Sequence, residues 1–419
     1  MSVADTMTAD PLARPHTDSV AAFVPDQSRA ERTASFDVSA FPVPTGREEE
    51  WRFTPVKKLS ALFAEGASDG LAWTDSLPAG VTVSPISASD ARALGILPPQ
   101  DRAAVVAAAS AAAVLVDIPA EAELAEPVRV VLTGSGDTAS HGHVVVRAGR
   151  HSKATLVLEH TGLAQHSELV SVVTGDGSDL TVVSTQRWSD GSVHLAQHDA
   201  LVGRDATYKH VGVTLGGEVV RLNANVRYAG PGGNATLLGV YFADAGQHLE
   251  HRSYIDHNAP HCTSRATYKG ALQGATARTV WVGDVLIRAE AEGTDTYELN
   301  RNLILTDGAR ADSVPNLEIE TGEIEGAGHA SATGRFDDLQ LFYLQARGIP
   351  EDEAKRLVVR GFFADIIREI PLADLRDEIT AAIEEELAST AYASANPAAN
   401  PAANPTAPNA DGQTVTKEN

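Results

Sequence analysis

Five side chains able to bind a transition metal crowd one short stretch of this chain: His248, His251, His257, His261 and Cys262. Imidazole and thiolate are sound ligands for zinc or iron, so the stretch is a candidate metal site with His257, His261 and Cys262 as its tightest group. Pro260 prevents a regular helix here, so the spacing of His257 and His261 does not imply one helical face. On an extended strand those two share a side while Cys262 points away. Scattered histidines and a buried cysteine are the ordinary alternative. A sixth residue, His329, stands out by position. It sits in Gly326-Ala327-Gly328-His329-Ala330-Ser331, among neighbours so small that another backbone or a partner can approach closely.

Other chemistries leave no trace. The sequence has no Gly-x-x-x-x-Gly-Lys-Ser/Thr loop to cradle nucleotide phosphates, no Gly-x-Ser-x-Gly elbow, no Cys-x-x-Cys pair and no His-Glu-x-x-His helix. Carboxylates are plentiful, but no spacing marks a catalytic pair. A formal net charge of -23 over 419 residues argues against nucleic acid or an anionic membrane as the main partner. The single cysteine rules out an intrachain disulfide and fits a reducing cytoplasm. Met1 to Arg32 is polar and lacks the apolar core of a secretory signal. The longest apolar run, Ala103 to Val116, is too short for a membrane span and reads as a packed helix leading into a strand.

The elements that must position these residues follow from texture. Residues 1–32 read as a disordered tail, and so does 390–419, where Asn396-Pro397-Ala398-Ala399 repeats as Asn400-Pro401-Ala402-Ala403 and offers nothing to bury. Residues 33–113 mix short apolar patches with Pro and Gly, as a small helical or mixed domain would. From 114 to 336, short β-branched runs alternate with Gly, Asp and Asn in a rough repeat whose anchors are Ala154, Leu180, Ala206, Ala235 and Ala266. No helix-length segment interrupts it, so the region reads as a β-helix, a stack of coils whose ends need caps; a two-sheet sandwich is second.

Beyond it, Leu317-Glu318-Ile319-Glu320 alternates like a half-buried strand, and the Gly-His run reads as the turn into a helix capped by Asp337 or Asp338 and ended by Gly348. That helix carries Leu339, Phe342, Tyr343 and Ala346 on one side. Pro350 opens a second helix with an apolar stripe of Ala354, Leu357, Val358, Phe362, Ile366, Ile367 and Ile370. After Pro371, a third carries Leu372, Leu375, Ile379, Ile383 and Leu387. The helical block spans 337–389.

Two motifs carry a family resemblance. Pro-Asn-Leu-Glu-Ile from Pro315, the Gly-His run, and Leu-Phe-Tyr-Leu-Gln-Ala-Arg-Gly-Ile up to Ile349 resemble the SufB/SufD family of iron–sulfur cluster assembly scaffolds. So does Gly46-Arg47-Glu48-Glu49-Glu50-Trp51-Arg52-Phe53-Thr54-Pro55, with that family's N-terminal Glu-x-Trp signature. The likeness is strongest to SufD and implies a right-handed parallel β-helix core between N-terminal and C-terminal helical domains. It implies a complex with a SufB-like paralogue and a SufC-like ATPase, fed with persulfide sulfur by a cysteine desulfurase system, in which a transient iron–sulfur cluster is shared with SufB. Whether a reduced flavin binds that assembly stays open. His329 matches the family histidine at the SufB–SufD interface. One imidazole cannot hold a cluster, which takes about four protein ligands, so the rest would come from the second chain. Leu339, Phe342, Tyr343, Arg347, Leu357 and Phe362 fall in the part that engages SufC. The chain has Ala327-Gly328-His329 where some SufD proteins have Cys-Ser-His, and it lacks the sulfur-accepting cysteines of many SufB proteins. The expected role is therefore a non-catalytic scaffold. The rivals are a β-helix carbohydrate-active enzyme and a His-rich metal-binding protein.

Overall fold

The computed structural model describes residues 32–66, 70–336 and 338–395. The expected tails lie outside them, except that Arg32 is described, paired with Asp284 and over the Tyr254 ring, and the last helix runs on to Ala395, past 389. In chain order, short 3-10 turns between Val38 and Phe63 lead to β1 (Ala72–Ser76), β2 (Thr82–Ile86), α1 (Ala88–Ala93), α2 (Arg102–Ser110) and β3 (Ala113–Ile118). The long strands β4 (Val128–Ala148) and β5 (Lys153–Thr174) follow. Then come β6 (Asp179–Trp188), β7 (Val193–Val202), β8 (Thr207–Thr214), β9 (Val219–Tyr228), β10 (Asn234–Ala243), β11 (His248–His257) and β12 (Thr263–Leu272). The stack ends with β13 (Arg278–Ile287), β14 (Asp295–Ile304), β15 (Arg310–Ile319) and β16 (Gly326–Arg335). Helices α3 (Asp338–Ala346), α4 (Glu351–Arg368) and α5 (Ala373–Ala395) close the chain. None of the described helices is long and apolar enough to cross a membrane.

From β5 onward every pairing is parallel, and the strand order 15-13-11-9-7-5-6-8-10-12-14-16 shows the chain alternating between two faces of a β-solenoid. β5 is long enough to serve both faces: its first half pairs β6 and its second half β7. One corner repeats in a way that explains several polar residues. Glu121, His151, Gly177, Asp205, Gly232, His261 and Gly293 all have positive φ. Each donates its backbone N–H across the corner to the next coil: Glu121 to Arg150, His151 to Asp176, Gly177 to Arg204, Asp205 to Pro231, Gly232 to Pro260, His261 to Glu292 and Gly293 to Glu323. The left-handed conformation costs a non-glycine residue about 1–2 kcal/mol, which this ladder of hydrogen bonds offsets.

The sequence repeat is real, with two corrections of register. Ala154 lies beside Leu180, but Leu180 lies beside Tyr208 rather than Ala206, and Ala235 beside Ser264 rather than Ala266. Each slip is two residues, which leaves the side chain on the same face of a strand. Alternation therefore revealed the buried face without fixing the register. Inside, apolar rows run from Val128 to Ile287. On β10 and β12, Tyr241 faces Gly270 and Tyr268 faces Gly239, so each ring lies over a glycine that has no Cβ to block it.

The flanking segments cover the faces of the rod as well as its first coil. Trp51, Leu59, Leu62 and Phe63 pack with Val193, Leu195 and Val219 outside β7 and β9. Trp51 is held edge-on by Phe63 and under the Arg221 guanidinium, 3.9 Å from its ring, so the Glu-x-Trp motif is a docking clamp. Strands β1 and β2 pair antiparallel with β4 and β3 and close the first end. α4 and α5 cover the opposite face, where Val359, Phe363, Ile366, Ile370, Leu375, Ile379 and Ile383 meet Val183, Val211, Val240 and Phe242. The α4 stripe was read partly one residue out of phase: Val359 and Phe363 are buried, whereas Leu357 is 41% exposed. Helix rotation accounts for this, since adjacent positions differ by about 100°. The far end is not capped. Among the described residues no strand pairs beyond β15 or β16.

Candidate functional site

Alternation along β14 sends Thr296, Glu298, Asn300 and Asn302 inward, where all four are buried. The register with β16 then sets Ala327, His329, Ser331 and Thr333 directly above them. His329 thus stands in the interior row, yet it is exposed because no further coil covers it. This corrects the sequence reading: the Gly-His run is the last strand of the stack, not a turn. Gly328 faces the opposite way, where the Tyr297 ring occupies the space beside its Cα. A cavity of about 430 Å³ opens at this edge, lined by His329 with Tyr254, Asp284, Leu286, Pro315 and Asn316. Behind His329, burial and then the charge of Asp284 push the Glu298 carboxyl up to about 8, against a hydrogen bond from Ser253. It is therefore protonated at neutral pH.

Beside this end, α3 presents Leu339, Phe342 and Tyr343 at 77%, 68% and 57% exposure, three large apolar side chains on one short helix. The Arg347 guanidinium lies 4.7 Å from the Tyr343 ring. Phe362 differs from the other expected contact residues. It packs on Phe363 and under Lys269, whose ammonium also binds the Phe362 carbonyl and Asp365.

The metal site expected near residue 260 is not assembled. His257 is buried with Nε2 2.9 Å from Ser264 Oγ, and burial lowers its pKa to about 3. His261 turns a corner at φ +56 and is exposed. Cys262 is buried, its thiol pushed up by burial and directed at the Gly230 and Pro260 carbonyls. His248 bonds Glu250 on the outer face, and His251 stacks on Tyr241 inside. Strand alternation and the corner pull these five apart.

A different group converges inside the first coils, on β5 and β7. His160 Nε2 lies 3.0 Å from Glu168 Oε2, His194 Nε2 3.7 Å and His198 Nε2 3.9 Å, and all four residues are buried. The ligand atoms of His160, Glu168 and His194 lie within 4.8 Å of one another, the one such group of three among the described residues. Burial opposes the Glu168 charge, but the charge and hydrogen bond of His160 outweigh it and hold the carboxyl well below the usual range. Burial likewise pushes His166 and His198 down to about 4 and His194 well below the ordinary imidazole value. Sequence reasoning missed this group because His160 and Glu168 lie eight residues apart on β5 while His194 and His198 come from the next coil on β7. Aligning coils was the signal available, since His166 and His194 share one register position.

Comparison with known proteins adds to the geometry. The profile of the SUF system FeS cluster assembly SufBD core domain matches residues 130–362, the solenoid through most of α4. The chain is 52% identical over 373 residues to an iron–sulfur cluster assembly SufBD family protein of Mycobacterium tuberculosis, across 87% of this chain and 94% of that one. It is 28% identical over 278 residues to the iron–sulfur cluster assembly protein SufD of Bacillus subtilis, spanning 64% of this chain and 63% of that protein. Against the SufD of Escherichia coli it is 29% identical over 196 residues, 47% of this chain and 46% of that one.

Proposed function

The chain belongs to the SufBD family of SUF-system iron–sulfur cluster assembly proteins, and from that premise we propose that it is a SufD-like scaffold subunit. Its partners in this reading are a SufB-like paralogue and a SufC-like ATPase in the cytoplasm. The observation that carries the reading is the open last coil with an inward imidazole on it. Edge strands invite another chain to continue the pairing, and most proteins blunt them. Here β15 and β16 stay open, and Ala327, His329, Ser331 and Thr333 present small or polar side chains to whatever stacks on them.

His329 supplies one nitrogen donor to a cluster built in that interface. Cys262 is buried within the stack and is the only cysteine, so the remaining donors and the sulfur-accepting thiols come from the SufB-like chain. Persulfide sulfur reaches the complex from a cysteine desulfurase system. The exposed α3 patch of Leu339, Phe342 and Tyr343, with Arg347 and Leu357, docks the ATPase. Closure of two ATPase subunits on nucleotide draws the C-terminal helices of the two scaffold chains together. Because α4 and α5 are packed on the solenoid face, the pull reaches the interface at the open coil. Differential affinity of the closed ATPase pair for the rearranged scaffold drives the shift. Family membership replaces the reading as a carbohydrate-active enzyme, which rested on fold analogy alone.

The test is anaerobic co-expression with SufB-like and SufC-like partners. The His329→Ala variant should assemble the full complex and build no cluster chromophore. Full cluster formation in that variant would defeat the assignment. Phe342→Glu with Tyr343→Glu should lose the ATPase from the purified complex while the scaffold pair stays together.

A further inference from the structure

We propose that the solenoid interior holds an exchangeable divalent transition-metal ion on His160 Nε2, Glu168 and His194 Nε2, with His198 beside them. This site lies in the first coils, apart from the docking end, and does not depend on the function proposed above.

Trp188 can only donate, and its Nε1 lies 3.0 Å from Gln186 Oε1, which fixes that oxygen as an acceptor. His194 Nδ1 lies 2.7 Å from the same oxygen and so must be its donor. In the neutral ring, Nε2 then bears a lone pair, and it points at the Glu168 carboxylate 3.7 Å away. Two acceptors face each other with no hydrogen between them. His160 differs: its Nδ1 lies 3.2 Å from both the Thr185 carbonyl and the Gln186 amide nitrogen, so in the metal-free chain Nε2–H donates to Glu168, and an ion there takes the place of that proton while Nδ1–H turns to the Thr185 carbonyl. A histidine whose Nδ1–H is held by an oxygen, as in His194, presents the Nε2 lone pair in the orientation of a metal ligand.

Unsatisfied atoms mark the same spot. Glu168 Oε1, His194 Nε2, His198 Nε2 and His166 Nε2 have no hydrogen-bond partner, and each residue is at most 1% exposed. Orphaned buried polar atoms are rare, and three imidazole nitrogens around a carboxylate with its own orphaned oxygen call for a positive charge. Ligand bonds of about 2.0–2.2 Å put neighbouring donors roughly 3.3 Å apart in a tetrahedron. The observed separations of 3.0, 3.7 and 3.9 Å bracket that figure. Two imidazoles and one carboxylate suit zinc or ferrous iron better than calcium or magnesium, which prefer all-oxygen sites. A cavity of about 460 Å³ beneath β1 and β3 is lined by His143, His166 and Glu168.

The experiment uses untagged full-length chain, stripped with chelator and titrated with Co²⁺ as an optical probe and Zn²⁺ as competitor. Stoichiometric Co²⁺ uptake with ligand-field bands in the visible, bleached by Zn²⁺, is expected. His194→Gln and Glu168→Gln should weaken binding by about 100-fold or more, and Gln186→Leu, which removes only the anchor of His194, by about 10–100-fold. His257→Gln should leave the titration unchanged. Wild-type protein that gives no visible bands overturns the proposal, whether or not the variants fold. So does binding that survives in both ligand variants, which would assign the ion to surface carboxylates.

Discussion

At the scale of single residues, the polar interior of this rod sets its response to pH. Glu298 ionises near 4.5 in an unfolded chain but near 8 in the folded one, mainly through burial. The native state therefore holds a proton between those values that the unfolded state has lost. Its stabilisation is complete below about pH 4.5 and drains away as pH rises through 8. Glu298→Gln removes that dependence, so the variant should gain on wild type from pH 5 to pH 8, by up to several kcal/mol, and level off above. Denaturant melts at stepped pH would show it; parallel curves would mean the carboxyl is solvated. His261 makes the opposite point. It resembled a ligand in the sequence, but it turns a left-handed corner, where glycine stands in the neighbouring coils. His261→Gly should change stability by no more than about 1 kcal/mol and leave metal uptake untouched, as a melt and a Co²⁺ titration would report.

Among the elements, α4 is tied to the sheet at two kinds of contact. Phe363 fills the apolar seam against Val240 and its neighbours, and Lys269 reaches out of β12 to Asp365 and the Phe362 carbonyl. Removing the ring in Phe363→Ala should cost about 3–5 kcal/mol locally. Hydrogen exchange would rise across α4 and α5 while the solenoid strands stay protected, because coils are stabilised by their neighbours more than by the helices. Uniform loss of protection would show instead that helices and coils unfold as one unit. Inside the stack, Gly270→Ala sets a methyl against the Tyr241 ring and should cost about 1–3 kcal/mol by overpacking. That penalty explains why a strand-weakening residue stands in the middle of β12.

For the molecule as a whole, the asymmetry of its ends matters most. The first end is closed by β1 and β2, and the last is left open with His329 in its interior row. Ser331→Lys places a charge in that exposed row. It should scarcely alter the melting of the isolated chain, within about 0.5 kcal/mol, yet abolish co-purification with a SufB-like partner. An intact pair in that variant would move the interface elsewhere. The β-solenoid, expected over 114–336, and the three closing helices were legible in the sequence, because alternation, helical periodicity and small-residue corners are local properties of a chain. The phase of α4 and the two-residue slips in coil register were not, since neighbouring phases and same-parity registers give almost the same hydrophobic pattern. The sequence also drew the eye to histidines close together near residue 260, whereas the structure gathers His160 and Glu168 from the two halves of β5 and His194 from the next coil. In a solenoid, side chains that share a site come from opposite faces of one coil and from the next turn of the chain, and only the closing and stacking of coils determines which of them meet.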